Sequence, residues 1–260
     1  MTDNNPTPQT DPTADELVQQ NWELRHQIED LKAQEIQVWS LLATTNRKLQ
    51  VYAASIKAAV SSLLNYDIFW DSANQHEFLE TIDSSVNQVS EMIVLQTLAF
   101  RTRAENLVLR KDAHLLQEIL ALSQMAAAKK LPELKLEISF PPAGDPILVD
   151  YEYLTKALLL LYEVIHASAP AASIQVTAAE TDDAWLLDFT GLEPALIDMI
   201  VHMFDCQTPP AATEFLAAEN ILRLHIVCGI LRQQQISLYS RVEPDLPPVL
   251  SIRLPEIIRQ

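Results

Sequence analysis

Glycine is nearly missing from this chain: 260 residues hold three, Gly144, Gly191 and Gly229, far apart from one another. A loop that cradles phosphate needs glycine, because bare backbone N–H groups must approach the anion at unusual φ/ψ. No glycine-rich loop exists here. Cysteine is scarcer still. Cys206 and Cys228 form neither a CxxC pair nor a disulfide framework, so a reducing, cytoplasmic setting is expected. There is no GxSxG elbow, and no two histidines have HxxxH spacing. The helical pairs His26/Glu29 and Glu163/His166 lack the further carboxylates of a di-metal site, so no metal is expected. Long apolar runs are absent as well. The most apolar, Ala157–Ile165, is too short to span a bilayer and is interrupted by Glu163. The opening MTDNNPTPQTDPTADE is acidic and proline-bearing, unlike a signal peptide. Basic charge is also short: 18 Lys and Arg stand against 35 Asp and Glu, a net −17. Nucleic acid and anionic lipid would be repelled, whereas basic patches on other proteins would not.

What is present is amphipathic pattern. Residues 1–14, with Pro6, Pro8 and Pro12, are too polar to bury a core and are expected to form a disordered tail. Asp15 can cap a helix. Beyond it Leu17, Leu24, Leu31 and Val38 recur every seven residues, with Asn21, Ile28, Glu35 and Leu42 at the alternate seam positions. This predicts a parallel coiled coil over 15–44, with Asn21 setting register between two chains. One amphipathic helix packed on its own domain is the alternative. Over 45–107 the pattern continues through Leu49, Tyr52, Ile56, Val60 and Leu63, breaks at NYDIFWDSANQ, and resumes at Phe78, Ile82, Val86, Val89 and Ile93. That is a helical hairpin with a wide apolar face, which two chains would close into a four-helix bundle. A homodimer is expected through Leu17, Asn21, Leu24, Ile28, Leu31, Val38, Ile56, Val60 and Val86. Trp70, in the IFW of the hairpin tip, either exposes apolar surface to a partner or packs under the turn.

From 108 to 257 the texture changes. The pattern predicts a helix over 112–129, a strand in ELKLEISF over 133–140, a turn at PPAGDP and a deeply buried helix over 150–168. Strands 173–179 and 184–189 flank a TDD turn. Helices 194–204 and 216–233 follow, then strands 235–241 and 249–254 across EPDLPP. Helices among mostly antiparallel strands make an α+β fold, here a two-layer sandwich.

Three stretches occur in a meaningful order: EFLETIDSSVNQVSEMI, DPILVDYEYLTKALLLLYEVIHASAP, and ILRLHIVCGILRQQQ running into ISLYS. Together they resemble the second hairpin helix, the asparagine-box strand and helix, and the helix after the second glycine box of a sensor histidine kinase core. The resemblance covers about Thr45 to Pro255. It implies a dimerising hairpin carrying a phosphoacceptor histidine, then an ATPase-type sandwich. The chemistry does not follow the frame. Arg47 and Lys48 stand where the histidine and its acidic neighbour belong, and Tyr52 where a proline usually bends the helix. Val164 takes the place of the asparagine that holds Mg²⁺. Phe189 takes that of the adenine-reading aspartate, unless a one-residue slip puts Asp188 there. Thr190-Gly191 survives, followed by Glu193 and Pro194 in place of a glycine and a hydrophobe. The lid between Asp205 and Glu214 is short and lacks glycine, and Ile221 and Arg223 replace the phosphate-loop glycines.

The resemblance therefore implies a pseudo-histidine kinase, with neither cofactor nor catalytic residue: a dimeric signalling or scaffold protein. Its implied partner is a response-regulator receiver domain or another histidine kinase. Arg47, Lys48 and Lys57 are the basic residues of the first hairpin helix, and could face such a partner or neutralise nearby carboxylates. The alternative is a histidine phosphotransferase without ATP binding. It needs a histidine on the hairpin, and none lies between Thr44 and Leu64; His76 is the one candidate.

Overall fold

The computed structural model describes residues 14–65, 72–139, 145–170, 173–181, 184–206, 217–242 and 247–256. The chain forms two compact units, Met1–Ala43 and Thr44–Gln260. Two long helices come first, α1 (Ala14–Asn65) and α2 (Ser72–Arg103). Helix α1 already begins at Ala14, so Asp15 lies inside it instead of capping it. Thr45, Ala59, Ser85, Met92 and Leu95 are buried in this part of the chain. A hydrogen bond of 2.8 Å from Gln96 Nε2 to Thr45 Oγ1 ties the two helices together.

Beyond the hairpin the order is β1 (Asp112–His114), α3 (Leu116–Lys130), β2 (Lys135–Ser139), β3 (Ile147–Val149), α4 (Tyr151–Ser168), β4 (Ser173–Glu180), β5 (Ala184–Thr190), α5 (Pro194–Cys206), α6 (Ala218–Gln233), β6 (Ser237–Arg241) and β7 (Val249–Glu256). The five-stranded sheet runs β2-β4-β5-β7-β6, and β1 and β3 make a separate antiparallel pair. The large sheet is mixed, because β2 joins β4 in parallel while every other pairing is antiparallel. Two boundaries differ from the sequence pattern. Asp112–His114 is a strand rather than the start of a helix, since it takes its register from Ile147–Val149, and α3 begins only at Leu116. Strand β6 begins at Ser237, because Gln235 sits at φ 64°, a left-handed conformation between α6 and the strand.

The alternation of β4 explains the layer. Ile174, Val176 and Ala178 are buried while Gln175, Thr177 and Ala179 are exposed. At β4 one sheet face therefore turns inward and the other meets water. Leu187 and Phe189 of β5 and Leu250, Ile252 and Leu254 of β7 continue the buried face. Helix α4 is buried on most sides, through Leu154, Leu158, Leu160, Leu161, Val164 and Ile165, so it is the centre of the core. Asp150 caps it, accepting from Tyr153 N at 3.1 Å. Gly191 has a local reason: at φ +84° a Cβ would come within 2.3 Å of the Ser173 carbonyl oxygen, where the end of β5 crosses the start of β4.

Candidate functional site

The positions that the resemblance aligns with nucleotide contacts lie on α4, β5 and α6. Val164 is fully buried on α4. One residue before it, Glu163 is buried too, a carboxylate on a helix whose other buried residues are apolar but for Tyr162. Phe189 of β5 is fully buried, its ring tilted 44° to that of Tyr162 with centroids 6.3 Å apart. Burial pushes the Tyr162 hydroxyl up to about 12, although its contact with Ser123 works the other way. This wall of the site is apolar and does not ionise at neutral pH.

Asp188 is held elsewhere. Its carboxylate accepts from Ser251 Oγ at 2.6 Å and from Arg241 Nη2 at 2.8 Å, across β7 and β6. Neighbouring strand residues alternate between sheet faces, so Asp188 lies on the face opposite Phe189 and Tyr162. Asp188 is thus engaged within the sheet, between Ser251 and Arg241. Glu193 is an exposed residue at the start of α5, its carbonyl accepting from Leu196 N and Ile197 N, and Pro194 opens the helix.

Helix α6 brings Ile221, Arg223, Glu219 and Asn220 to the same place. Ile221 is buried. Arg223 is spent on its neighbours: Nε lies 2.7 Å from Glu163 Oε2, Nη2 lies 2.6 Å from Glu219 Oε1, and Nη1 donates to Asn220 Oδ1 at 3.1 Å. The ion pairs continue in both directions. Glu163 Oε1 is 2.7 Å from Lys130 Nζ of α3, Lys130 also pairs with Glu91 of α2, and Glu219 pairs with Lys48 of α1. Burial alone would lower the Lys130 ammonium and raise the Glu219 carboxyl. The partner charges override it, holding Lys130 above and Glu219 below its ordinary value. Lys156 of α4 is lowered, first by burial and then by the Lys130 charge beside it.

Of the basic residues read as partner-facing, Arg47 and Lys57 are exposed. Lys48 is not a free charge, because it is half-buried against Glu219. Trp70 lies outside the described residues. Among the expected dimer positions Asn21, Leu24, Ile28, Val60 and Val86 are exposed and Ile56 is half-buried. Leu17, Leu31 and Val38 lie on α1, but their side chains fall outside the described residues. On α2, Leu79, Val86, Ile93 and Phe100 are all exposed and stand seven residues apart. His76 is exposed, its Nε2 3.0 Å from Glu80 Oε1. Among the described residues no cluster of His, Cys, Asp or Glu could hold a metal ion, and no helix is long and apolar enough to cross a membrane.

The sequence reading missed the ion pairs. The one signal was Glu163, a charge interrupting the most apolar run of the chain.

No protein-family model matches the chain, and no curated protein does. Solved structures do. The Acinetobacter baumannii histidine kinase AdeS aligns with a TM-score of 0.54 at 13% identity, over 80% of this chain and 96% of its own. Full-length ShkA, in complex with AMPPNP, aligns at 0.54 and 14% identity, over 85% of this chain. The histidine kinase ThkA, in complex with the response regulator TrrA, aligns at 0.50 and 13% identity over 88%. The fold is that of a histidine kinase core. This chain spans 46% of the ShkA chain and 66% of the ThkA chain. At such identity the likeness is one of fold, and the α+β histidine-kinase frame of hairpin and ATPase-like sandwich is what is shared.

Proposed function

We propose that the chain is a pseudo-histidine kinase, a non-catalytic dimeric signalling or scaffold protein of the cytoplasm that binds a protein partner and not ATP. One observation carries this reading: Arg223, at a phosphate-loop glycine position, is ion-paired to Glu163 and Glu219. ATP brings about four negative charges and a Mg²⁺ that takes oxygen ligands. Here it would meet two carboxylates already holding the guanidinium, with Val164, Phe189 and Ile221 as the other contacts. Entry would strand buried charges, and an unpaired buried carboxylate is far costlier than a paired one. The exposed apolar positions Leu24, Ile28, Val60 and Val86 support the homodimer, with the coiled coil over 15–44 and the bundle over 45–107 as its two parts. The response regulator bound to ThkA supports a receiver domain as partner, with another histidine kinase the other choice. Calorimetry with Mg-ATP at millimolar concentration tests the reading: no heat of binding is expected, and a dissociation constant in the micromolar range would overturn it.

A second reading, histidine phosphotransfer between receiver domains, is favoured by one feature, the exposed His76 beside Glu80. Incubation with a phosphorylated receiver separates the two. Label on the wild type that is lost in His76→Gln would establish the relay.

A further inference from the structure

Six charges from five helices meet in one chain of contacts: Lys48, Glu219, Arg223, Glu163, Lys130 and Glu91. Its two ends, Lys48 and Glu91, belong to the hairpin helices α1 and α2. Its middle belongs to α3, α4 and α6 of the sandwich. The partly exposed ends and the buried centre differ in kind, since Glu163 and Arg223 are nearly out of water while Lys48, Lys130 and Glu91 are about one-third exposed or more.

The same two bodies touch at a second place without using these charges. Gln233 Nε2 donates to the Thr102 carbonyl at 2.9 Å, and Gln233 Oε1 accepts from Leu107 N at 3.2 Å. Gln234 Oε1 accepts from Asp150 N at 2.8 Å, and the Asp150 carboxylate accepts from Arg110 N at 2.7 Å. The segment leaving the hairpin is thus bonded to the ends of α6 and α4. Between the two sets of contacts Gly229 of α6 lies against Thr102 of α2 so closely that a Cβ would meet Thr102 Cβ at 2.5 Å.

We propose that the chain of ion pairs is a clamp that holds the sandwich in one fixed posture on the hairpin, without any ligand. The hydrogen bonds of Gln233 and Gln234 form the pivot at one end of the α2–α6 contact, and Lys48 and Glu91 latch the other. The clamp stands on the arrangement of the charges alone, so it does not depend on whether ATP binds.

The double variant Lys48→Gln with Glu91→Gln opens both latches and leaves the Glu163–Arg223, Glu163–Lys130 and Glu219–Arg223 pairs intact, so no buried charge loses its last partner. Amide hydrogen exchange of the full-length protein, without nucleotide, is the readout. Opening between two bodies shows as faster exchange confined to their contact. Exchange in α2 from Met92 to Arg103 and in α6 is expected to rise about tenfold, while α4 stays protected and circular dichroism is unchanged. The wild type at high salt should move the same way, because the latch charges are partly exposed and screened. Unchanged exchange at the α2–α6 contact in the double variant overturns the clamp. Loss of protection throughout α4 overturns it equally, since the charges would then belong to the folding core. Neither outcome bears on ATP, which the calorimetric test decides separately.

Discussion

His225 should make this protein sensitive to mild acid. It lies on α6, and its Nε2 is buried with no hydrogen-bond partner among the described residues. Burial first, then the charges of Arg103 on α2 and Arg232 on α6, lower its pKa to about 4 from an ordinary 6.5. The folded state therefore refuses a proton that the unfolded chain accepts. Below pH 6.5 the unfolded chain gains protons first, so stability is fully present above 6.5 and is lost as pH falls towards 4. The loss amounts to about 2 kcal/mol at pH 5 and approaches about 3 kcal/mol at pH 4. Carboxylates titrate in the same range, so the assay is a difference. Urea unfolding of wild type and His225→Met is followed from pH 7.5 to pH 4.5. Methionine fills similar space and cannot charge, so its curve keeps every contribution but that of His225. Relative to the variant, the wild type should lose about 2 kcal/mol between pH 7.5 and pH 5. Parallel curves would refute the reasoning, since they would mean that the imidazole is as well solvated in the fold as outside it.

Gly229→Ala should destabilise the chain by about 1–3 kcal/mol in the same urea assay, although alanine is the better helix former. Thr102 cannot swing away, because the clash is with its Cβ and its Oγ1 is bonded to the Leu98 and Ala99 carbonyls; a variant as stable as wild type would contradict the close packing. Leu24→Asp with Leu31→Asp should weaken or abolish the dimer, each leucine contributing on the order of a few kcal/mol when covered by a second chain. A wild-type mass equal to one chain in light scattering would remove the dimer altogether. Arg47→Glu with Lys57→Glu, both at exposed positions, should abolish capture of a receiver domain while dimer mass and circular dichroism persist. Capture that is unchanged would move the search to another face.

Much of the frame was legible because periodicity is local. Ser173–Glu180 alternates buried and exposed as its sequence alternates apolar and polar, and the long helices follow their own repeats. Strand β1 was not legible. Three residues, Asp112–His114, carry no period, and what makes them a strand is the pairing with Ile147–Val149. The apolar character of Val164, Phe189 and Ile221 is plain in the sequence, and all three are buried. The ion pairs were not legible. Lys48 and Glu219 are 171 positions apart, Glu163 and Arg223 are 60, and Glu91 and Lys130 are 39. Whether Lys48 faced a partner or neutralised a carboxylate was therefore open in the sequence, and it pairs with Glu219 of its own chain. The contacts of Asp188 with Ser251 and Arg241, 63 and 53 positions away, were equally beyond the reach of a local pattern.

Two kinds of buried residue meet at this site, and they call for different explanations. Val164, Phe189 and Ile221 add buried apolar surface at about 25 cal/mol per Å², which by itself favours the fold. Stability alone does not account for Glu163 and Arg223 in the same way. A buried ion pair loses in desolvation about what it gains in attraction, and well-packed apolar side chains of like volume are often as stable or more so. What such a pair offers is position: a wrong arrangement leaves a buried charge without its partner at a cost of about 3–5 kcal/mol, while the right one is roughly neutral. Two sliding apolar surfaces tolerate many registers; two that must also satisfy Glu163, Arg223 and Lys130 tolerate few. This predicts that replacing Glu163 and Arg223 together by Leu and Met keeps the melting temperature within a few degrees, since 1 kcal/mol shifts a domain of this size by about 2–4 °C. The same replacement should speed exchange across the α2–α6 contact. A pair that instead proved to be worth many degrees would be a pillar of the core, and the clamp would lose its reason for being ionic.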